Sequence, residues 1–302
     1  MRMARRMRIL NAGLACTRAR PVLRTFAYAF ATHVAALGIA LGMLWGSPLI
    51  ASTGAEKSNE RATAGIFETM AEIPAGFYAP LIRAKDEPER VPVDAFWLDV
   101  RPVTNAEFLA FVRAQPQWRR STVGPLFADA GYLADWAGDL ELGARAPANA
   151  PVVRVSWFAA RAYARSLGKR LPTTAEWERA ASAGFTSING ATEPGFAAGV
   201  LAWFTRPNPT TLPDAGSGRA NHFGVRDLFG LVWEWVNDFN TSMVTGESRA
   251  DTGLERNLFC GAGAAGVRDP SDYAAFMRAG FRSSLRANYA VPNLAFRCAR
   301  SP

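Results

Sequence analysis

The sequence predicts an α+β domain with a modest share of regular secondary structure and much ordered loop. Three observations carry that reading. Strand-like apolar pieces bounded by turn residues open the domain, two capping boxes mark helix starts, and from about residue 184 to 302 short apolar pieces alternate with Gly, Pro, Asn and Asp and show little regular helix.

The strand-like pieces are EIPAGFYAPLI from Glu72 and VDAFWLDVRPV from Val93. The first helix is predicted from Thr104-Asn105-Ala106-Glu107. In that box the Thr side chain receives a backbone N–H three residues on, and the Glu reaches back to the cap; Phe108, Phe111 and Val112 then share one face. Residues 114–150, rich in Pro, Gly, Ala and Trp, read as an irregular loop region. A second helix follows Ser156, carries Trp157, Ala160, Tyr163 and Ala164, and stops at Gly168. A third starts at the box Thr173-Thr174-Ala175-Glu176 and runs to about Ala183.

Ahead of the domain, Arg2, Arg5, Arg6, Arg8, Arg18, Arg20 and Arg24 precede the apolar run VAALGIALGMLW from Val34 to Trp45, and small residues Ala51, Ser52 and Ala55 follow. Residues 1–55 are therefore expected to be an export leader or a retained inner-membrane anchor, 56–69 a linker and 70–302 the domain. Either form places the domain in the periplasm or outside the cell. The net charge of +8 is no sign of nucleic-acid binding. Seven of the 34 basic residues lie in the leader, and the rest nearly balance the 26 acidic ones. Of three cysteines, Cys16 is in the leader, leaving Cys260 and Cys298 to pair or stay free. Of two histidines, His33 is in the leader; His222 alone cannot build a multi-histidine metal site.

One feature in the middle of the chain calls for a partner. In DLFGLVWEWV, from Asp227, Glu234 stands between Trp233 and Trp235. On an extended segment the tryptophans share one face, and Val232 and Glu234 the other. Glu234 then faces water, pairs with an arginine, or holds a hard cation through oxygen.

The stretches PVTNAEFLAFV, PVVRVSWFAARAYARSLGKRLPTTAEWERAA, FGVRDLFGLVWEWVNDF and NLAFRCAR occur in that order. Together they resemble the formylglycine-generating-enzyme-like (sulfatase-modifying factor) domain family over about residues 70–300. The resemblance implies a decorated C-type-lectin-like fold. It also implies a structural calcium ion held by the side chains of Asp227 and Glu234 and the carbonyls of Gly230 and Val232. Leu231 stands where the family often has Asn.

The catalytic chemistry of that family does not carry over. Formylglycine-generating enzymes bind copper with two active-site thiolates after an R-G-G-S strand; here that position reads Cys260-Gly261-Ala262-Gly263, and no cysteine follows before Cys298. Copper and formylglycine-generating activity are not expected. One histidine outside the leader also argues against the three-histidine iron of the related sulfoxide synthases.

Two functions remain. The pieces C-G-A-G-A-x-G and D-P-S-D-Y-A-A-F-M-R are similar to family members encoded beside copper nitrite reductases, which implies an exported accessory protein that holds a periplasmic protein or peptide partner during maturation in denitrification. The alternative is a divergent periplasmic oxidoreductase of the siderophore-maturation type. The candidate working residues are Cys260, Asp269, Asp272 and Tyr273, with Arg278, Arg282 and Arg286 expected to line one helical face and bind a carboxylate or acidic peptide. Cys260 is equally read as a buried core residue or half of a disulfide, and Asp269 and Asp272 as a turn and helix cap. Gly261, Gly263 and Gly266 suit a bulged strand or close ligand approach, and lack the context of a phosphate loop.

Overall fold

The structure, a computed structural model, describes residues 69–80, 88–240 and 270–302. The leader, Cys260, its glycines and Asp269 lie outside the described residues. Twelve regular elements are described: β1 (Met70–Ile73), β2 (Gly76–Tyr78), β3 (Val91–Val93), β4 (Phe96–Asp99), α1 (Asn105–Ala114), α2 (Trp157–Ser166), α3 (Thr174–Ala181), α4 (Phe196–Phe204), β5 (Trp233–Glu234), α5 (Pro270–Ser283), β6 (Leu294–Ala295) and β7 (Ala299–Arg300).

Each strand pair is short, and one of them joins distant parts of the chain. β4 is the middle of an antiparallel sheet in the order β1-β4-β7, with Met70 opposite Asp99 and Trp97 opposite Arg300. β2 pairs with β3, and β5 runs parallel to β6. Between these pieces the backbone groups of the loops bond one another, for example Val103 N–H to the Phe296 carbonyl and Val152 N–H to the Val103 carbonyl. A chain with so little ladder satisfies its buried amides in this way.

The helices predicted from capping chemistry are present. Thr104 and Glu107 close a reciprocal box at α1, and Thr173 and Glu176 another at α3. Ser156 caps α2. That helix ends at Ser166, and Gly168 turns the chain at φ +66°, a conformation glycine adopts without a Cβ clash. Between α1 and α2 only a single 3-10 turn, Pro116–Trp118, interrupts irregular loop, as expected.

The expectation of little helix after residue 184 is corrected. α4 and α5 both lie there. α4 is apolar nearly throughout and starts at Gly195 with no side-chain cap, so neither a capping motif nor an amphipathic stripe announced it. α5 starts at Pro270, where proline's missing N–H costs nothing.

The main core joins both ends of the domain. Phe108 of α1 stacks on Tyr163 of α2 at 5.8 Å, and both meet Phe296 edge-on at 6.0 and 5.3 Å. Trp235, wholly buried, donates from Nε1 to the Val155 carbonyl at 2.8 Å. The tryptophan N–H is satisfied while its ring fills the centre.

Candidate functional site

The site grows from three consecutive residues of α3. Trp177, Glu178 and Arg179 are all buried, so this short helix is enclosed on nearly every side. Each of the three looks in its own direction and meets a different neighbour.

Trp177 donates from Nε1 to Glu234 Oε2 at 2.8 Å. Glu234 also takes both arms of Arg297, from Nε to Oε2 at 2.8 Å and from Nη2 to Oε1 at 2.7 Å. The remaining donors of Arg297 go to the carbonyls of Asp99 (3.1 Å), Val100 (3.2 Å) and Arg226 (2.9 Å). All five N–H groups of a guanidinium with no exposed surface are thereby used. Of the three partners open to Glu234 in the sequence, the structure supplies an arginine.

The four residues expected to clasp calcium are placed as follows. Asp227 adopts φ +60°, which Asp tolerates better than most side chains, and Gly230 φ +100°. Asp227 Oδ1 accepts the Gly218 N–H at 2.9 Å, and Oδ2 accepts the Gly216 N–H. Two lone pairs per carboxylate oxygen leave Asp227 an acceptor position on each oxygen, while Glu234 Oε2 is saturated and Oε1 keeps one. Arg297 therefore takes the side of Glu234 that a cation would otherwise neutralise. Among the described residues no three His, Cys, Asp or Glu side chains are grouped to hold a metal.

Glu178 points the other way. It receives Arg278 Nε at 2.9 Å and Nη2 at 2.7 Å, and Arg282 Nη1 at 2.7 Å. Burial alone would raise its carboxyl, but the two guanidinia outweigh that and hold it at about 2. The same arginines lie over aromatic faces: Arg282 over Trp177 at 4.9 Å, and Arg278 over Phe229 at 5.3 Å. Tyr78 of β2 sits near this cluster. Burial first, and the Glu178 charge second, push its phenol up to about 12.

The expected stripe of three arginines is therefore corrected. Arg278 and Arg282 do share one face of α5, but that face is turned inward onto Glu178, and both are buried. Arg286 lies beyond the end of α5, exposed, with its guanidinium 5.8 Å from the Tyr289 ring. Asp272 stands in the first turn of α5, and Tyr273 beside it is exposed. His222 is an exposed turn residue whose backbone N–H bonds the Gly184 carbonyl. Cys298 is a free thiol with no exposed surface; burial, then the nearby Asp99 charge, raise its pKa well above the ordinary value.

Beside Glu178 a cavity of about 620 Å³ opens between β2, α3, α4 and α5. That is the size of a pocket for a small ligand or a short peptide segment. Tyr78, Arg90, Glu178, Arg179 and Arg278 line its polar side, with Gly76 beside them, and Phe77 and Ile188, 61% and 55% exposed, form an apolar rim. Sequence reasoning missed Tyr78, Glu178 and Arg179. The available signal was the close grouping of Trp177, Glu178 and Arg179 behind the capping Glu176, since charges beside a large aromatic on a short helix call for partners.

Comparison with known proteins agrees with this architecture. Residues 55–302 match the sulfatase-modifying factor enzyme 1-like domain. The formylglycine-generating enzyme of Streptomyces coelicolor is 34% identical over 247 residues, covering 68% of this chain and 77% of that protein. The inactive C-alpha-formylglycine-generating enzyme 2 of Mus musculus is 29% identical over 286 residues, covering 77% and 85%. Serine/threonine-protein kinase pkn1 of Chlamydia pneumoniae is 30% identical over 165 residues, half of this chain but only 24% of the kinase's length. With the family model matching most of the chain, and its fold and sequence blocks in place, this protein belongs to the formylglycine-generating-enzyme-like, sulfatase-modifying factor family.

Proposed function

We propose that this chain is a non-canonical, exported accessory member of its family, which holds a partner segment in the cavity beside α3 and assists maturation of a periplasmic enzyme such as a copper nitrite reductase. The observation that carries the reading is how the carboxylate at the cavity is engaged: Glu178 receives two hydrogen bonds from Arg278 and one from Arg282. Glu178, at about 2, stays an anion locked to two arginines, and Tyr78, at about 12, stays a neutral phenol. Both directions favour a fixed binding wall over a general acid or base at these two residues. Cys298 is sealed in the core, so it cannot join Cys260 in an accessible copper-binding thiolate pair.

The test is co-expression of a copper nitrite reductase with and without this chain. The active, copper-loaded fraction of the reductase should fall when the chain is omitted, and the purified chain should form no aldehyde on a sulfatase peptide. An unchanged active fraction, or aldehyde formation, refutes the reading. In the same proposal calcium is a structural ion held by Asp227, Glu234 Oε1 and the carbonyls of Gly230 and Val232. The free acceptor positions on both carboxylates support it. Chelation should then lower the melting temperature, and calcium should restore it; no change on chelation removes calcium from the account.

A further inference from the structure

Among the described residues Arg179 is the one buried cavity residue whose charge is unaccounted for. It is 8% exposed, and its Nε is buried with no hydrogen-bond partner. Among the described residues it forms no ion pair; its guanidinium lies 5.0 Å from the Phe223 ring centre. A guanidinium cannot shed its proton to escape burial, so a buried one without a counter-charge is costly. Burial draws its pKa down, and no acidic neighbour offsets that effect.

The surroundings are shaped for this side chain. A Cβ on Gly76 would stand 2.4 Å from Arg179 Nε, so a side chain there would push the guanidinium off its present place on the cavity wall. Among the described residues the wall carries three arginines, Arg90, Arg179 and Arg278, against the one carboxylate of Glu178. Glu178 is shared between Arg278 and Arg282, and among the described residues it forms no ion pair with Arg179. Next to this positive wall lie the apolar side chains of Ile188, Phe196, Val200 and Phe229.

We propose that the cavity takes a ligand with a carboxylate on an apolar body, and that Arg179 is the residue that binds the carboxylate. This inference rests on reading the cavity as a binding site, and adds the chemistry of what enters it. The planar fork of arginine matches a carboxylate with two parallel hydrogen bonds, and the pairing supplies the counter-charge the buried cation lacks.

Thermal shift and calorimetry on the purified protein test it with 4-phenylbutyrate, its neutral analogue 4-phenylbutanol, inorganic phosphate, and a capped Leu-Glu-Leu peptide beside its Leu-Gln-Leu analogue. The carboxylate probes should bind and raise the melting temperature, and their neutral analogues should bind at least tenfold more weakly. Arg179→Met should remove that preference while leaving the ligand-free melting temperature unchanged or higher, because an uncompensated charge has gone; a merely structural arginine would lower it. Binding of the Glu peptide assigns the carboxylate to a protein partner, and binding of phenylbutyrate alone to a small molecule; both support the site. Equal binding of neutral probes, binding of phosphate only, no binding at all, or carboxylate binding that survives Arg179→Met overturns it. Nitrite reductase maturation is measured separately, so carboxylate binding without a maturation effect would sink the accessory role and leave the site standing.

Discussion

Replacing Glu234 with Gln keeps the shape of the side chain and removes its charge. Arg297 would then be a guanidinium with no exposed surface whose two shortest bonds, 2.7 and 2.8 Å, no longer end on an anion. Breaking one side of a buried pair costs about 3–5 kcal/mol, because the remaining charge stays desolvated. For a domain of roughly 150–250 residues each kcal/mol is worth about 2–4 °C, so Glu234→Gln should lower the melting temperature by about 6–20 °C. The double variant Glu234→Leu/Arg297→Met removes both charges and should lose less than the two single variants together, since residues in direct contact are not additive. It should still fall short of the wild type, because the carbonyls of Asp99, Val100 and Arg226 and the Trp177 N–H lose their partner. Urea unfolding and calorimetry, each with calcium and with chelator, make the measurement. A loss below about 1 kcal/mol under chelator would refute the claim that the ion pair itself holds this core, whatever calcium adds.

Three further outcomes follow from the same packing. Glu178 has a folded pKa of about 2 against about 4.3 unfolded, so its stabilisation is complete above the unfolded value and is lost as pH falls from there through 2. Linkage puts this near 3 kcal/mol at most, and stability-versus-pH curves should lose that acid limb in Glu178→Gln, which starts from lower stability because Arg278 and Arg282 are left unpaired. Gly143→Ala should cost about 1–3 kcal/mol in denaturant titration, because its Cβ would stand 2.2 Å from the Asp135 carbonyl oxygen, a backbone atom with no rotamer to move. Thr173→Ala should cost about 1 kcal/mol by removing the cap of α3; a neutral result would mean that packing alone sets that helix.

What could be read in the sequence was local. The boxes at Thr104 and Thr173 act over three residues, and both helices start where those boxes put them. The family blocks were legible for the same reason, since each is a contiguous string. What stayed hidden was partnership across long separations. Glu234 was recognisably in need of a partner, but Arg297 lies 63 residues away, and nothing in the spacing marks it out from other arginines. The four-residue step from Arg278 to Arg282 correctly implied a shared helical face. That face turned inward because Glu178, 100 residues earlier, meets it there. α4 escaped notice because a helix apolar all round has no periodic stripe, and its Gly195 start offers no side-chain cap.

The sheet in which β7 lies on β4 has a consequence for how the polypeptide is delivered. Asp99 receives the Cys298 N–H, and the carbonyls of Asp99 and Val100 wait for Arg297, so the first third of the domain is completed by residues that leave the ribosome near 300. Until they emerge, the nascent chain cannot lock. A protease cut that releases Arg297 and β7 would leave β4 without its neighbour and the carbonyls of Asp99 and Val100 without their donor.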